Sequence, residues 1–245
     1  MEFIVLGSGT LIPTKKRNAS GYLLKYKDEN IVFDFGAGTL KSLLNFDVDY
    51  NSIDYIFLTH NHPDHVADLV PLFHVCRKRR NKVLNVYGFK GVKKFVEEIF
   101  DLFPNTKPET YAVNFKEMEN SKVNIDEITV SSMLMNHFEN CIGFKIEVEG
   151  KTIIYSGDTG LCENLLELSK NADVLILECS FPNEKKHPKH LTPSEAGEIA
   201  TKSNAKQLVL THFYPECEDY NIKSQAKSNF EGEIIIAKDT MKITF

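Results

Sequence analysis

Three imidazoles and a carboxylate crowd into one short stretch, Thr59-His60-Asn61-His62-Pro63-Asp64-His65. It directly follows an apolar run, Ile53-Asp54-Tyr55-Ile56-Phe57-Leu58, that reads as a buried strand. Side chains of these types at the mouth of a strand cannot all pack as ordinary core. Buried imidazoles and carboxylates need partners, and a divalent cation satisfies several at once. His60 and His62, two apart on an extended segment, point to the same side. Asp64 and His65, opening the following turn or helix, point elsewhere. That geometry suits two neighbouring metals better than one. The plainer reading is a surface loop rich in histidine, and the rest of the chain decides between the two.

Further ligand-type residues stand at the ends of other strand-like runs. His137 follows one, in Asn136-His137-Phe138. Asp158 follows Ile153-Ile154-Tyr155 through a Ser-Gly turn, and His212 ends Leu208-Val209-Leu210-Thr211. Such positions suit a site, because a rigid sheet holds them. His190 lies in Lys189-His190-Leu191-Thr192, and Glu178 ends Val174–Leu177. For these two the plainer readings are an exposed loop histidine and a solvated glutamate. His74 sits in a helical apolar pattern and reads as packing; His187, before Pro188, reads as solvated.

The elements that must position these residues follow from periodicity and turn signals. Phe3 to Leu6 is a strand running into Gly7-Ser8-Gly9-Thr10, an incomplete match to a dinucleotide fingerprint. That loop reads as a tight turn; a second reading lets its backbone amides approach a substrate phosphate. Ser20 to Tyr26 and Ile31 to Phe35 form a hairpin across a polar turn. Asp34-Phe35-Gly36 leads into a helical pattern at Leu40, Leu43 and Leu44. Helices are expected over Leu69 to Cys76, Gly91 to Phe100, Leu161 to Leu168, Pro193 to Lys202 and around Gln225. Thr192 and Glu195 are spaced as a capping box. Strands are expected at Val83 to Tyr87, in pieces over residues 104 to 136, at Val174 to Leu177, Leu208 to Leu210 and Glu233 to Ala237. Cys141 to Glu149 and Lys151 to Tyr155 form a second hairpin. The two halves echo each other, each supplying hairpin, helix, strand, polar loop and helix. We infer an α/β (α+β) chain, 1–245 as a single domain, built as a four-layer αββα sandwich with its site along one edge.

Composition narrows the function. Apolar residues at 42% and charged residues at 26% of 245 are those of an ordinary globular protein. The net charge of −5 provides no global basic field for nucleic acid. The densest basic run, Arg77-Lys78-Arg79-Arg80 with Lys82, reads as a solvated helix end, with binding of a phosphate backbone as the second reading. The five cysteines, at 76, 141, 162, 179 and 217, show no CxxC pair. That argues against a disulfide framework and for a reducing compartment. No apolar stretch approaches membrane-spanning length, and the N-terminus opens on an acidic residue and a strand. A cytoplasmic protein without membrane contact is the expectation.

With these residues assembled, the sequence resembles the metallo-β-lactamase superfamily along essentially its whole length. The HxHxDH signature stands complete at His60-Asn61-His62-Pro63-Asp64-His65. Leu6-Gly7-Ser8-Gly9-Thr10, Asp34-Phe35-Gly36, His137, Ser156-Gly157-Asp158-Thr159 and Leu210-Thr211-His212-Phe213 extend the likeness. The resemblance implies two divalent ions: His60, His62 and His137 on one, Asp64, His65 and His212 on the other, Asp158 bridging both. Zinc suits so imidazole-rich a set, with manganese or iron as alternatives. His190-Leu191-Thr192 is similar to the HxT/HxS element of ribonuclease Z-like phosphodiesterases. That implies a metal-bridging hydroxide attacking phosphorus, Asp64 able to accept its proton, His190 as general acid or anion clamp, and Glu178 orienting it. A homodimer is implied by the same likeness. One departure stands out. Ribonuclease Z enzymes that process tRNA carry a long arm between the third histidine and the bridging aspartate, where this chain has only a hairpin. The expected function is therefore a dinuclear phosphodiesterase or nuclease acting on RNA or a small phosphodiester. Cyclic nucleotides, and thioester, lactone or β-lactam substrates, are the alternatives. A non-catalytic metal or nucleic-acid binding module is the reading from a different class.

Overall fold

In a computed structural model of the protein, which describes residues 1–138 and 140–244, the apolar runs pair into two mixed seven-stranded sheets. The chain divides into two units, Met1–Glu117 with Lys238–Thr244, and Met118–Ala237. The first holds β1 (Glu2–Gly7), β2 (Gly21–Tyr26), β3 (Glu29–Phe35), β4 (Tyr55–Leu58), β5 (Leu84–Gly88) and β6 (Val113–Glu117) in that spatial order, with Lys242–Ile243 added beside β1. β1, β2 and β3 are antiparallel; β3 to β6 are parallel. Its helices are α1 (Thr39–Leu43), α2 (Pro63–Val66), α3 (Leu69–Cys76) and α4 (Val92–Leu102).

Strand alternation divides the residues of this sheet between two faces. Ile4, Leu23, Val32, Ile56 and Val86 pack with Leu43, Leu69, Leu72, Phe73 and Val96 of the helices. The other face carries an aromatic ladder. Phe3 stacks on Tyr22, Phe33 lies 5.2 Å from Phe57, and Tyr87 meets Phe57 edge-on at 5.7 Å. Phe3, Tyr22, Phe33 and Phe57 are all fully buried.

The second unit repeats the plan. It holds β7 (Lys122–Ile125), β8 (Ile128–Leu134), β9 (Ile142–Val148), β10 (Lys151–Tyr155), β11 (Val174–Glu178), β12 (Gln207–Thr211) and β13 (Glu233–Ile236). β7 to β10 are antiparallel and β10 to β13 parallel. Its helices are α5 (Glu163–Leu168), α6 (Pro193–Lys202) and α7 (Ile222–Lys227). Ile154, Leu175, Leu177, Leu208 and Leu210 pack with Leu165, Ala196, Ile199 and Ala226. Every residue of β11 and β12 is buried, as continuous apolar runs in a parallel sheet require. Both expected hairpins form, and the echo between the halves is a shared topology. α5 begins two residues later than its apolar pattern suggests, because Cys162 is extended, with φ −158°. Among the described residues, no helix is long and apolar enough to cross a membrane.

Three sequence expectations need correction. The basic run is not a solvated helix end throughout. Arg80 is 1% exposed and donates to the carbonyls of Lys82, Asn51 and Val83 at 2.6–2.7 Å. Arg77 and Lys78 both pair with Glu109. A guanidinium tying three carbonyls is a structural clip, and it is unavailable to a phosphate backbone. His74 is exposed on α3 rather than packed, because it falls on the solvent side of a helix whose buried residues are Leu69, Leu72, Phe73 and Cys76. The Gly7-Ser8-Gly9 amides are already engaged: Ser8 N donates to Asp239 Oδ1 at 3.0 Å and Gly9 N to Asn18 O at 2.8 Å. Nor is the stretch a tight turn: Gly7 closes β1 and neither Gly7 nor Gly9 has a positive φ, so the backbone runs on extended, and Gly7 is required because a Cβ there would lie 1.8 Å from Ala19 O.

Arg80→Ala removes three hydrogen bonds made by a buried side chain and is expected to cost about 3 kcal/mol in urea unfolding, while exposed Arg79→Ala changes stability by less than about 0.5 kcal/mol.

Candidate functional site

The expected site residues fall into two groups, one in each unit. In the first, β4 delivers the chain to Thr59, and α2 turns it back at once. Pro63 opens that helix, whose missing N–H costs nothing at its first position. His65 N donates to His62 O at 2.9 Å, closing the turn. The ring of His60 is 4.5 Å from that of His62 and 4.2 Å from that of His65. The rings thus lie close together, yet Asp64 and His65 offer their ligand atoms to a different group from His60 and His62, as the sequence suggested. The single helical turn brings the His65 ring back beside His60. Asp64, 5% exposed, accepts from Leu11 N at 3.1 Å through Oδ2. Gly36 permits the approach of this turn, since a Cβ there would meet Asp64 O at 1.9 Å.

Asp34 organises the group from the end of β3. It is fully buried and held at φ 56°, a left-handed conformation uncommon for a non-glycine residue. Its carboxylate accepts from Thr59 N at 2.8 Å and faces Thr59 Oγ1 at 2.9 and 3.0 Å. His65 Nδ1 lies 2.7 Å from Asp34 Oδ2. A carboxylate only accepts, so His65 carries its proton on Nδ1 and its lone pair on Nε2. Thr59 donates to Asp34, and its oxygen, 3.0 Å from His60 Nδ1, accepts from that ring. The hydrogen-bond network thus assigns Nε2 of His60, too, as the lone-pair nitrogen. Buried imidazoles with lone pairs so directed are what a divalent cation needs.

In the second unit, Asp158 follows β10 and Gly157 at φ 57°; His212 follows β12 and itself adopts φ 57°. His212 Nε2 is 3.3 Å from Asp158 Oδ1, and His137 Nε2 is 3.7 Å from Asp158 Oδ2. His137 Nδ1 lies 3.1 Å from Lys189 O, so it donates there. Burial holds the His137 imidazole below its ordinary 6.5, against the opposing pull of Asp158, a shift toward the neutral form that a ligand needs. His190 arrives on the loop before α6, which the expected capping box fixes: Glu195 N donates to Thr192 Oγ1, and Thr192 N to Glu195 Oε2. Glu178 and His190 are buried, overturning the plainer readings of both. Glu178 Oε1 lies 2.8 Å from His190 Nδ1 and accepts from Thr159 N at 2.9 Å. Gly160 lets the Asp158 loop approach the His190 loop, a Cβ there falling 2.3 Å from Pro188 O. Asp158, His190 and His212 each offer a ligand atom, all within 4.8 Å of one another. This donor set also fits a divalent cation.

Residues 29–213 match the family described as "Beta-lactamase superfamily domain". The chain belongs to this family. It is similar to a ribonuclease Z from Methanosarcina mazei, 28% identical over 99% of this chain and 97% of that one. The crystal structure of the metallo-β-lactamase fold protein YhfI from Bacillus subtilis superposes with a TM-score of 0.86, at 27% identity and 99% of each chain. Human tRNase Z, short form, shares the fold, with a TM-score of 0.81 at 24% identity over 100% of this chain and 99% of that one. The fold class expected of the sequence, α/β of the metallo-β-lactamase type, is thus the observed one. The protein is a metal-dependent hydrolase of the ribonuclease Z-like kind.

Three contributors escaped the sequence reading: the roles of Asp34, Thr59 and Ser180. The available signal was a small hydroxyl residue directly after an apolar strand, at Leu58-Thr59 and Cys179-Ser180.

Because the His137 pKa is lower in the folded protein than its ordinary 6.5, the unfolded chain binds the proton more readily. Stability of the chelator-treated protein therefore falls as pH drops through about 6.5. His137→Gln is expected to flatten the urea midpoint measured between pH 8 and pH 6.

Proposed function

We propose that the chain acts as one metallo-β-lactamase-like domain, a dinuclear phosphodiesterase. His60, His62 and His137 would hold one divalent ion and Asp64, His65 and His212 the other, with Asp158 shared, as the family pattern implies. Zinc fits the imidazole-rich donors best. When bound, the two ions supply Lewis acidity toward a phosphodiester and toward water.

The chain's own residues do the rest. Asp64 sits at the turn where a proton can be accepted. His190 presents Nε2 while Nδ1 is tied to Glu178, so it can hand a proton to a leaving alkoxide or clamp a phosphate oxygen. The buried Glu178 carboxylate orients that ring through Nδ1. The single observation that carries the phosphodiester reading is this Glu178–His190 pair beside Asp158 and His212, in the place of the HxT element.

A small phosphodiester, such as a cyclic nucleotide, is the second reading, and one observation favours it. β9 and β10, joined at Glu149-Gly150, occupy the segment between His137 and Asp158. The alignment to the Methanosarcina ribonuclease Z spans 298 positions, against 245 for the Bacillus subtilis metallo-hydrolase, so that ribonuclease carries insertions this chain lacks. A cytoplasmic homodimer accords with the same family likeness.

The test is a screen of zinc- and manganese-loaded protein on bis(4-nitrophenyl) phosphate, cyclic nucleotides and precursor tRNA, beside thioester, lactone and β-lactam substrates. Phosphodiester hydrolysis is expected, with kcat lowered about 10²–10⁴-fold in His190→Ala and in Asp64→Ala. Turnover confined to the thioester, lactone or β-lactam substrates would overturn the reading, as would a purified protein that takes up no transition metal.

A further inference from the structure

Ser180 stands two residues after β11 begins to leave the sheet, in Glu178-Cys179-Ser180-Phe181, and is fully buried. Its hydroxyl oxygen has three close partners. Glu178 Oε2 is at 2.7 Å, His212 Nδ1 at 3.0 Å and His190 Nδ1 at 3.1 Å. A hydroxyl has one proton to give and two lone pairs with which to accept. Where that proton goes decides everything else about the cluster.

Glu178 is arranged as an acceptor on both oxygens. Oε2 takes Ser180 N at 3.1 Å and Leu191 N at 3.2 Å; Oε1 takes Thr159 N at 2.9 Å. Three backbone N–H groups thus already point at this carboxylate as at an acceptor. The Ser180 proton therefore points to Glu178 Oε2, the shortest of its contacts. Its oxygen has only lone pairs left to offer the two imidazoles, and each ring must turn an N–H toward it. His190 shares its N–H between Ser180 Oγ and Glu178 Oε1. The rings of His190 and His212 lie 15° from parallel with centroids at 6.2 Å, each with its Nδ1 at the one oxygen.

We propose that Ser180 is a positioning residue whose single hydroxyl fixes His190 and His212 together as Nδ1–H tautomers. It thereby chooses the nitrogen that each ring presents to the reaction. For His212 that nitrogen is Nε2, 3.3 Å from Asp158 Oδ1. For His190 it is Nε2 again, the atom that holds or releases a proton. The consequence for catalysis rests on the phosphodiesterase reading above; the tautomer assignment does not. The first unit uses the same device on different residues, with Thr59 between Asp34 and His60. Its recurrence argues that a hydroxyl placed between a buried carboxylate and a ligand imidazole is a built feature.

The experiment is a long-range ¹H–¹⁵N spectrum of full-length, histidine-labelled, metal-free protein at pH 8, where imidazoles are neutral. His190→Gln and His212→Gln assign the signals. Both rings are expected in the Nδ1–H pattern. Either ring found as the Nε2–H tautomer in the wild type overturns the proposal, with no variant required. In Ser180→Ala, His212 is expected to become a tautomer mixture, and zinc affinity in competition with a chelator to fall about 10–100-fold. Ser180→Thr keeps the hydroxyl and should restore both readouts. Unchanged tautomers and zinc affinity in a folded Ser180→Ala, checked by circular dichroism, would also overturn it. Wild-type tautomers as expected, in a protein that cleaves no phosphodiester, would support this proposal while removing the phosphodiesterase reading.

Discussion

An imidazole binds a cation only through a nitrogen that carries no proton, and a buried ring tolerates that arrangement only if its other nitrogen has an acceptor. The arrangement of both site groups follows from this constraint. Asp34 takes the proton side of His65, Thr59 that of His60, the Lys189 carbonyl that of His137, and the Glu178–Ser180 pair those of His190 and His212. Two of these acceptors are buried carboxylates. Each is in turn satisfied by further donors, Asp34 by the amide and hydroxyl of Thr59 and Glu178 by three backbone amides and the Ser180 hydroxyl, as a buried carboxylate requires.

The fold meets the constraint by bringing strand ends together with loops that approach closely. Parallel neighbours within a sheet end side by side, so residues just past β3 and β4, or past β10, β11 and β12, meet without long excursions. Left-handed backbone at Asp34 and His212 redirects those side chains out of the strand direction. Such strain at a non-glycine residue persists only where the surroundings over-determine it; here Thr59 and His65 hold Asp34, and Ser180 and Asp158 hold His212. Gly36 and Gly160 act differently: they are small because backbone from the next loop occupies the space of a side chain.

How much of this was legible in the sequence depended on range. The cluster from His60 to His65 was legible because its donors lie within one turn of each other. Helix and strand positions were legible because apolar period reports which face is buried, and the Thr192–Glu195 cap because its spacing is local. The readings that failed were those about what a side chain meets. Arg80 looked like its exposed neighbours Lys78 and Arg79, yet it is the one aimed inward, at carbonyls of residues 51, 82 and 83. Gly7-Ser8-Gly9 read as a tight turn, yet its backbone is extended, and Asp239, far along the chain, takes the Ser8 amide that the second reading offered to a phosphate.

Side-chain type and short spacing by themselves determined the family, the fold class and the identity of the candidate ligands, since donor chemistry belongs to the residue. The tertiary structure alone decided which nitrogen of each imidazole faces outward, and which polar residues are buried. Those properties are set by partners distant in sequence: Asp34 is 31 positions from His65, Ser180 is 32 from His212, and Lys189 is 52 from His137. No local pattern encodes a proton's position on a ring. It is fixed only when folding places an acceptor against one nitrogen and removes water from the other.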